Sequence, residues 1–400
     1  MKRATRGTAA GERESVGGAE LRVAIACTGV GQVKRGFERY FADLHRMLGE
    51  RVDIVLFKGG GPSRAGERRI ACISRVGWLH RVLPLHVLIG RTPYHVECLT
   101  FVLGLYPRVR FGGFDVVHCI DPPVARLMYW MRRMFGGRFR LLYTEGCAMP
   151  PFAYPPADHV HHVAMQPFLD AREFGYAEKC MTLIPCGIES SRFRVDASRA
   201  DLRRKYGVPE EAYVVLSVAA IDRRQKRIDH LIDEFARIAD DRSLLWLDGS
   251  FDQGDPKLLD YGRAILGERL RYSHVPSGDV GELYRMADVM VLASVHESFA
   301  LVVAEALVAG CRVLVHDSPH FRWLVGGTDM LVDMEATGTL AARLSDIRDR
   351  PRPESGDSEI AARTRARFDW RAVVPQYVSL YASVSALPQG DYRRSQGVAS

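Results

Sequence analysis

Residues 287–316 read ADVMVLASVHESFALVVAEALVAGCRVLVH, and this stretch decides the fold. Residues 289–293 and 312–315 are short apolar runs that read as buried strands. Between them, residues 299–309 are apolar at every position except Glu305. Gly310 follows, where a helix would end on a left-handed residue. Ser298 stands where an N-cap hydroxyl would serve the first free amides. Strand, helix and strand together make one right-handed crossover of a parallel sheet. A carboxylate within an apolar helix is costly unless something pairs with it. Glu297 lies in the loop that enters the helix, eight residues before Glu305.

That loop would lie at the carboxyl edge of a parallel strand, where open α/β sheets bind ligands. The amides of Phe299, Ala300 and Leu301 would be free to hold a phosphate. Glu305 would point back toward that end and could accept hydrogen bonds from ribose hydroxyls. The same spacing also suits a structural carboxylate that caps a neighbouring loop, with Glu297 merely exposed.

Glu297 and Glu305 stand in the frame S-x-x-E-S-F-x-L-x-x-x-E-A-L-x-x-G, which resembles the signature of family-four glycosyltransferases of the GT-B fold. The likeness runs over roughly residues 21–384, with several motifs in order. The resemblance implies two Rossmann-like, doubly wound α/β domains facing a cleft. It also implies retaining transfer of a sugar from a nucleotide-diphosphate sugar to an acceptor hydroxyl.

Four hundred residues suit two domains rather than one core. A 47% hydrophobic and 26% charged chain is a globular one. No apolar stretch is long enough to span a bilayer. The basic start, MKRATRGTAAGERESVGG, lacks the apolar core of a secretory signal and reads as a disordered extension over residues 1–20. Eight scattered cysteines without a C-x-x-C pair read as reduced thiols of a cytoplasmic protein. A net charge of +7 suits anionic ligands or an anionic membrane surface and does not argue for nucleic acid.

Residues 21–26 read as a strand, 28–31 as a glycine turn, 36–47 as an amphipathic helix and 52–57 as a second strand. The turn lacks a full dinucleotide fingerprint, and Asp53 begins the second strand instead of ending it, so a nicotinamide or flavin site is not indicated. By resemblance, Gly31 would lie where acceptor and transferred sugar meet. Residues 64–105 mix arginines with apolar residues. They read either as a membrane-contacting segment, which the family often has here, or as a core helix with a solvated basic face.

Asp115-Val116-Val117-His118 resembles the family's D-V-V-H and closes a strand. His118 is either a satisfied strand-end histidine or a base. Residues 139–143 read as a strand leading to Glu145, where the family usually carries a His close to the reacting sugar. His159, His161 and His162 have no carboxylate or cysteine partner at a ligand spacing, so no metal site is read there. Residues 184–188, I-P-C-G-I, resemble the family's I-P-N-G-V and end a first domain of residues 21–187.

A second domain would span residues 188–369, with strands and helices alternating. Residues 213–219 open it as a strand. The loop after it holds Arg223, Arg224 and Lys226, either a phosphate clamp or a solvated turn. Residues 270–275 form another strand, and by resemblance Val275 would meet the nucleobase through backbone groups. Residues 370–386 read as a helix that, in GT-B proteins, crosses back to the first domain. A disordered tail would occupy 387–400.

The resemblance then assigns roles. Lys226, with Arg223 or Arg224, would neutralise the diphosphate leaving group, helped by the amides of 299–301. Glu305 would hold the ribose and Glu297 the sugar hydroxyls. No D-x-D pair ends a strand, so no metal and no cofactor beyond the nucleotide-sugar co-substrate is expected. The acceptor would be a saccharide, a lipid-linked or a small molecule, met in the cytoplasm or at the inner membrane face. The family usually has an Arg six residues before the lysine, and here that residue is Ala220. Departures at 145, 186, 220 and 300 keep a non-catalytic nucleotide-sugar binder open, alongside a GT-B epimerase.

Overall fold

The computed structural model describes residues 15–16, 19–33, 36–77, 92–146, 149–250, 255–348, 350 and 359–390. Most of the expected extension, residues 78–91 of the basic stretch, residues 351–358 and residues 391–400 lie outside them. The chain divides into two units, residues 1–187 with 373–400, and residues 188–372.

In the first unit, seven parallel strands form a sheet: β1 (Arg22–Cys27), β2 (Asp53–Lys58), β3 (Glu67–Arg69), β4 (Val116–Cys119), β5 (Arg140–Glu145), β6 (His159–His162) and β7 (Met181–Leu183). Their order is β3-β2-β1-β4-β5-β6-β7. Helix α1 (Gly36–Leu48) links β1 to β2, α2 (Pro93–Phe111) precedes β4, α3 (Pro122–Phe135) links β4 to β5, and α4 (Met165–Glu173) follows β6. The central strands β1 and β4 are buried on both faces, which is why residues 23–27 and 116–117 read as apolar.

Side-chain alternation assigns the faces. Ala24, Ala26, Val117, Cys119 and Tyr143 pack with Phe101 and Leu105 of α2 and Val124 and Met128 of α3. His118 turns to the other side, where its ring lies 5.0 Å from Phe41 of α1 and 5.6 Å from Tyr381.

In the second unit, six parallel strands are ordered β10-β9-β8-β11-β12-β13. They are β8 (Tyr213–Val218), β9 (Ser243–Asp248), β10 (Leu270–Ser273), β11 (Val289–Leu292), β12 (Arg312–His316) and β13 (Leu331–Val332). The helices are α5 (Arg199–Lys205), α6 (Ile228–Ala236), α7 (Lys257–Leu266), α8 (Val280–Met286), α9 (Leu301–Val308), α10 (Pro319–Val325), α11 (Thr339–Arg348), α12 (Glu359–Phe368) and α13 (Trp370–Ala386). Residues 373–386 of α13 group with the first unit. Each sheet thus reverses its strand order once, between β1 and β4 and between β8 and β11, and the loops at those points are where a doubly wound sheet offers a crevice.

Helix α9 begins at Leu301, two residues later than the apolar run suggested. Its N-cap is Ala300 and not Ser298. Ala300 is left-handed at φ 65°, a conformation that costs a residue with a Cβ about 1–2 kcal/mol. The strain buys a sharp turn between the buried ring of Phe299 and the helix. The far end is as expected: Ala309 is the C-cap and Gly310, at φ 73°, is left-handed.

Candidate functional site

Two loops meet at the reversal point of the second sheet. The first follows β8. Asp222 shapes it by accepting the amides of Gln225 (2.7 Å) and Lys226 (3.2 Å) on one carboxylate oxygen. Arg227 is left-handed at φ 52° and donates from Nη1 to the carbonyl of Met334, which pins the loop to the start of α6. Gly249 passes so close beneath that a Cβ would stand 1.7 Å from the Ala219 carbonyl.

The second loop follows β11 and carries Glu297. The Phe299 ring anchors it between Trp323 and Phe368, at 6.2 and 5.6 Å. His320 Nε2 lies 3.3 Å from the Phe299 carbonyl. Lys226 Nζ donates to Glu297 Oε1 at 2.5 Å, and Gln225 Nε2 reaches Glu297 Oε2 at 3.5 Å. The lysine and glutamate side chains are 19% and 7% exposed, so the pair is largely shielded but open to one side. The first amides of α9 have no intrahelical acceptor and start from this same loop.

The two arginines beside Lys226 differ. Arg223 is engaged: its Nε lies 3.3 Å from Asp255, its Nη1 3.5 Å from Asp229, and its guanidinium 5.5 Å from the Tyr261 ring centre. Arg224 is exposed and makes no hydrogen bond or ion pair among the described residues.

Glu305 is buried in α9, 9% exposed, and its Oε2 receives the Tyr284 hydroxyl at 3.4 Å. Burial first, then the neighbouring Glu305 carboxylate, push the Tyr284 phenol well above its ordinary range, so it stays a donor. Val275 donates its amide to Asp248 Oδ1 at 2.9 Å, which leaves the carbonyl as the backbone group Val275 can offer a base. Asp248 also accepts from Ser273 at 2.7 Å, and burial raises its carboxyl. Ser294, the first residue of the S-x-x-E frame, sits wholly buried in the β11 loop with a hydroxyl that finds no partner among the described residues.

Three expected site residues belong to the first unit. Gly31 turns at φ 80° after β1, where a Cβ would come within 2.2 Å of the Gly60 carbonyl, so only glycine fits. His118 lies within β4. It is fully buried, bonded to Tyr381 at 2.9 Å through Nδ1 and to Thr144 through Nε2, and burial holds it far below its ordinary pKa. Its surroundings are those of a core histidine. Glu145 is likewise fully buried and accepts the amide of Met149 at 3.2 Å, a structural placement. The neighbouring His159 and His161 are bonded to Thr182 (2.8 Å) and to the Ile184 carbonyl (2.9 Å).

The reversal point of the first sheet holds a polar cluster that the sequence did not announce. Asp121 accepts the Thr28 amide at 2.8 Å and the Tyr94 hydroxyl at 2.7 Å. Arg75 forks onto the buried Glu97 at 2.8 and 3.0 Å, donates to Thr28 Oγ1 at 2.9 Å, and stacks 4.3 Å over the Tyr94 ring. Arg75 is therefore spent inside the unit and is not part of a membrane-facing basic surface. Asp121 before two prolines, directly after an apolar strand, was the signal available.

Residues 198–355 match the family model described as glycosyl transferases group 1. A D-inositol 3-phosphate glycosyltransferase of Thermobispora bispora is 29% identical over 214 residues, 50% of this chain and 50% of that protein. A phosphatidyl-myo-inositol mannosyltransferase of Mycolicibacterium smegmatis is 28% identical over 210 residues, 50% of this chain and 52% of that protein. The chain spans about half the length of the curated relatives it matches. Among solved structures, sucrose-phosphate synthase of Thermosynechococcus elongatus superposes with a TM-score of 0.73 at 20% identity, covering 92% of this chain and 99% of that one. HepE of Anabaena, in complex with UDP-glucose, gives 0.71 at 15% identity, covering 91% and 100%. Residues 198–355 thus resemble the glycosyl transferases group 1 domain, and the chain that carries them has the GT-B fold.

Proposed function

We propose that the chain is a glycosyltransferase that moves a sugar from a nucleotide-diphosphate sugar to an acceptor hydroxyl, with retention and without a metal. The observation that carries this is the Lys226–Glu297 pair, 2.5 Å apart, at the mouth of α9. A cation, a row of free amides and a carboxylate converge there from two loops. When the bond from the sugar C1 to the phosphate oxygen breaks, its electrons move onto the diphosphate. Fixed positive groups at that point stabilise the transition state more than the ground state. Lys226 and the α9 amides supply them, and Glu297 is placed for a sugar hydroxyl once the lysine turns to phosphate. Glu305 would take the ribose, and the Val275 carbonyl would accept an N–H of the base. HepE, solved with UDP-glucose, and the relatives named as glycosyltransferases support a donor of this class. The acceptor is a saccharide, a lipid-linked or a small molecule, met in the cytoplasm or at the inner membrane face.

The test is to incubate the protein, in excess EDTA, with uridine and guanosine diphosphate sugars and follow release of the nucleoside diphosphate. Turnover of one donor is expected. Activity restored only by magnesium or manganese would overturn the metal-free mechanism. Tight donor binding with no turnover under any condition would make the protein a binder.

A further inference from the structure

At the entry to α9 the backbone is held in an unfavourable shape, and one buried side chain fixes how it is turned. Ala300, the N-cap, is left-handed at φ 65° and ψ 59°. A residue with a Cβ leaves that region unless its surroundings over-determine it. The peptide group before Ala300 is held at its carbonyl end: the Phe299 oxygen lies 3.3 Å from His320 Nε2. His320 is the second residue of α10 and is 3% exposed. Its ring lies 5.2 Å from Phe321 and 5.9 Å from Trp323.

A carbonyl can only accept, so Nε2 carries the proton and Nδ1 keeps a lone pair. Nδ1 has no partner among the described residues. Burial keeps the ring neutral, with its pKa lowered to about 4. A buried polar atom without a partner is costly, and a phenyl ring of nearly the same shape would pack beside Phe321 and Trp323 without that cost. What the imidazole adds is one N–H, and that N–H meets the Phe299 carbonyl. In a trans peptide the N–H points opposite to the C=O. With its carbonyl turned in to His320, the 299–300 peptide turns the Ala300 N–H away from the aromatic core. Phe299 is 2% exposed, whereas Ala300 is only half-buried. Neither the Ala300 amide nor the Leu301 amide is engaged in a hydrogen bond among the described residues, and the first turn of α9 closes with Val303 donating to the Ala300 carbonyl at 3.0 Å.

We infer that His320 is a positioning residue for the donor: by holding the Phe299 carbonyl from inside, it presents the Ala300 N–H to a phosphate oxygen of a nucleoside diphosphate. It touches neither sugar nor phosphate itself. The Phe299 ring, between Trp323 and Phe368, anchors its own Cα but not the plane of the peptide that follows. Without the Nε2 donor that peptide can rotate, Ala300 relaxes to a negative φ, and the N–H leaves the site. The inference rests on the donor reading given above and adds to it the residue that keeps one of the α9 amides aimed.

Isothermal calorimetry of the full chain with uridine and guanosine diphosphate, and ligand-observed NMR with the matching nucleosides, test it. His320→Phe keeps a ring and removes the donor. His320→Asn keeps an amide that is too short to reach the carbonyl. His320→Gln places its amide nitrogen where Nε2 stands. The Phe and Asn variants should bind the diphosphate about tenfold more weakly, the loss of one hydrogen bond to a charged group, and bind the nucleoside as the parent does. The Gln variant should recover most of the diphosphate affinity. In turnover the Phe variant should lose kcat more than KM, because charge on the leaving phosphate grows in the transition state. Two donor-free variants of different shape keep the result readable if one of them misfolds by circular dichroism. Equal diphosphate affinity in the parent and the donor-free variants overturns the inference and leaves the donor reading intact. Nucleoside affinity that falls as far as diphosphate affinity overturns it too, since His320 would then only pack the unit. A parent that binds neither diphosphate overturns the donor reading, and this inference with it.

Discussion

Lys226 and Glu297 are 71 positions apart in sequence and share a 2.5 Å ion pair that no other cation of the two loops joins. The lysine that should meet a diphosphate is therefore held by a carboxylate when no donor is bound. A diphosphate must compete with Glu297 for that ammonium. Glu297→Gln should tighten binding of a bare nucleoside diphosphate about three- to tenfold, on the order of 1 kcal/mol for a partly shielded pair. The same variant should lose most turnover, because the sugar loses its acceptor. Isothermal calorimetry with uridine and guanosine diphosphate reads the first effect. Unchanged or weaker binding would mean that Glu297 does not restrain the lysine.

Glu305 has a partner in Tyr284 and a ligand role in the proposed function, and one variant separates the two. Glu305→Ala should weaken nucleotide binding by about 1–3 kcal/mol, the cost of unpaired groups in a dry site. Tyr284→Phe, which removes the 3.4 Å bond, should leave the dissociation constant nearly as it was. A lowered melting temperature in the Glu305 variant, with unchanged affinity, would return Glu305 to a purely structural role.

The first unit should be sensitive to acid. His118, His161 and His162 are buried and neutral. Burial is the main cause in each case, with a neighbouring histidine adding to it, and it takes His161 and His162 down to about 3 and His118 well below its ordinary range. In the unfolded chain the same imidazoles protonate near pH 6.5. Below that pH the unfolded state binds more protons than the folded one, so stability falls as pH drops, from about 6.5 toward about 3. The loss at pH 5 is about 2 kcal/mol per histidine that must stay neutral. Helix α13 feels it directly, since Tyr377 bonds His161 at 3.1 Å and Tyr381 bonds His118 at 2.9 Å. Melting curves at pH 7 and pH 5 should separate clearly, and His162→Phe should narrow the gap. Equal melting temperatures at the two pH values would contradict it.

The second unit was more legible in the sequence than the first, for physical reasons. Its strands are short apolar runs bounded by turns, and period and punctuation agree on nearly every element from Tyr213 to Arg348. In the first unit, α2 contains Gly104 and Pro107, so a helix with a buried face of Val96, Phe101, Val102 and Leu105 looked like an undivided basic and apolar stretch. Two prolines open helix α3, at the first helical positions, where a missing N–H costs nothing, and they hide its start from a reading by apolar period alone. Within the site, the residue types of the two loops were readable, but which of them pair was not. The Asp222 turn, the left-handed Arg227 and Ala300, and the burial of His118 and Glu145 all depend on contacts that local spacing does not encode.

The two arginines beside Lys226 carry the sharpest prediction. At Ala220 the chain lacks the Arg that the family it resembles usually places there, so one phosphate-facing cation is absent from the end of β8. The diphosphate still leaves with about two negative charges. Arg223 cannot replace the missing residue cheaply. It would have to leave Asp255, Asp229 and the face of Tyr261, three contacts that hold it toward α7. Arg224 has nothing to leave among the described residues, and its fork can take two phosphate oxygens at once, as an ammonium cannot. Lys226→Ala should therefore cost about 100-fold in turnover, as loss of a preorganised positive group does. Arg224→Ala should cost at least about tenfold, and Arg224→Lys should recover only part of it, because the charge returns without the fork. Arg223→Ala should leave turnover within about twofold and lower the melting temperature slightly, the mark of an exposed ion pair. Steady-state kinetics on the four variants decides the matter. If Arg223 matters and Arg224 does not, donor binding must pull Arg223 from its two aspartates. If neither matters, Lys226 and the α9 amides suffice for the leaving group.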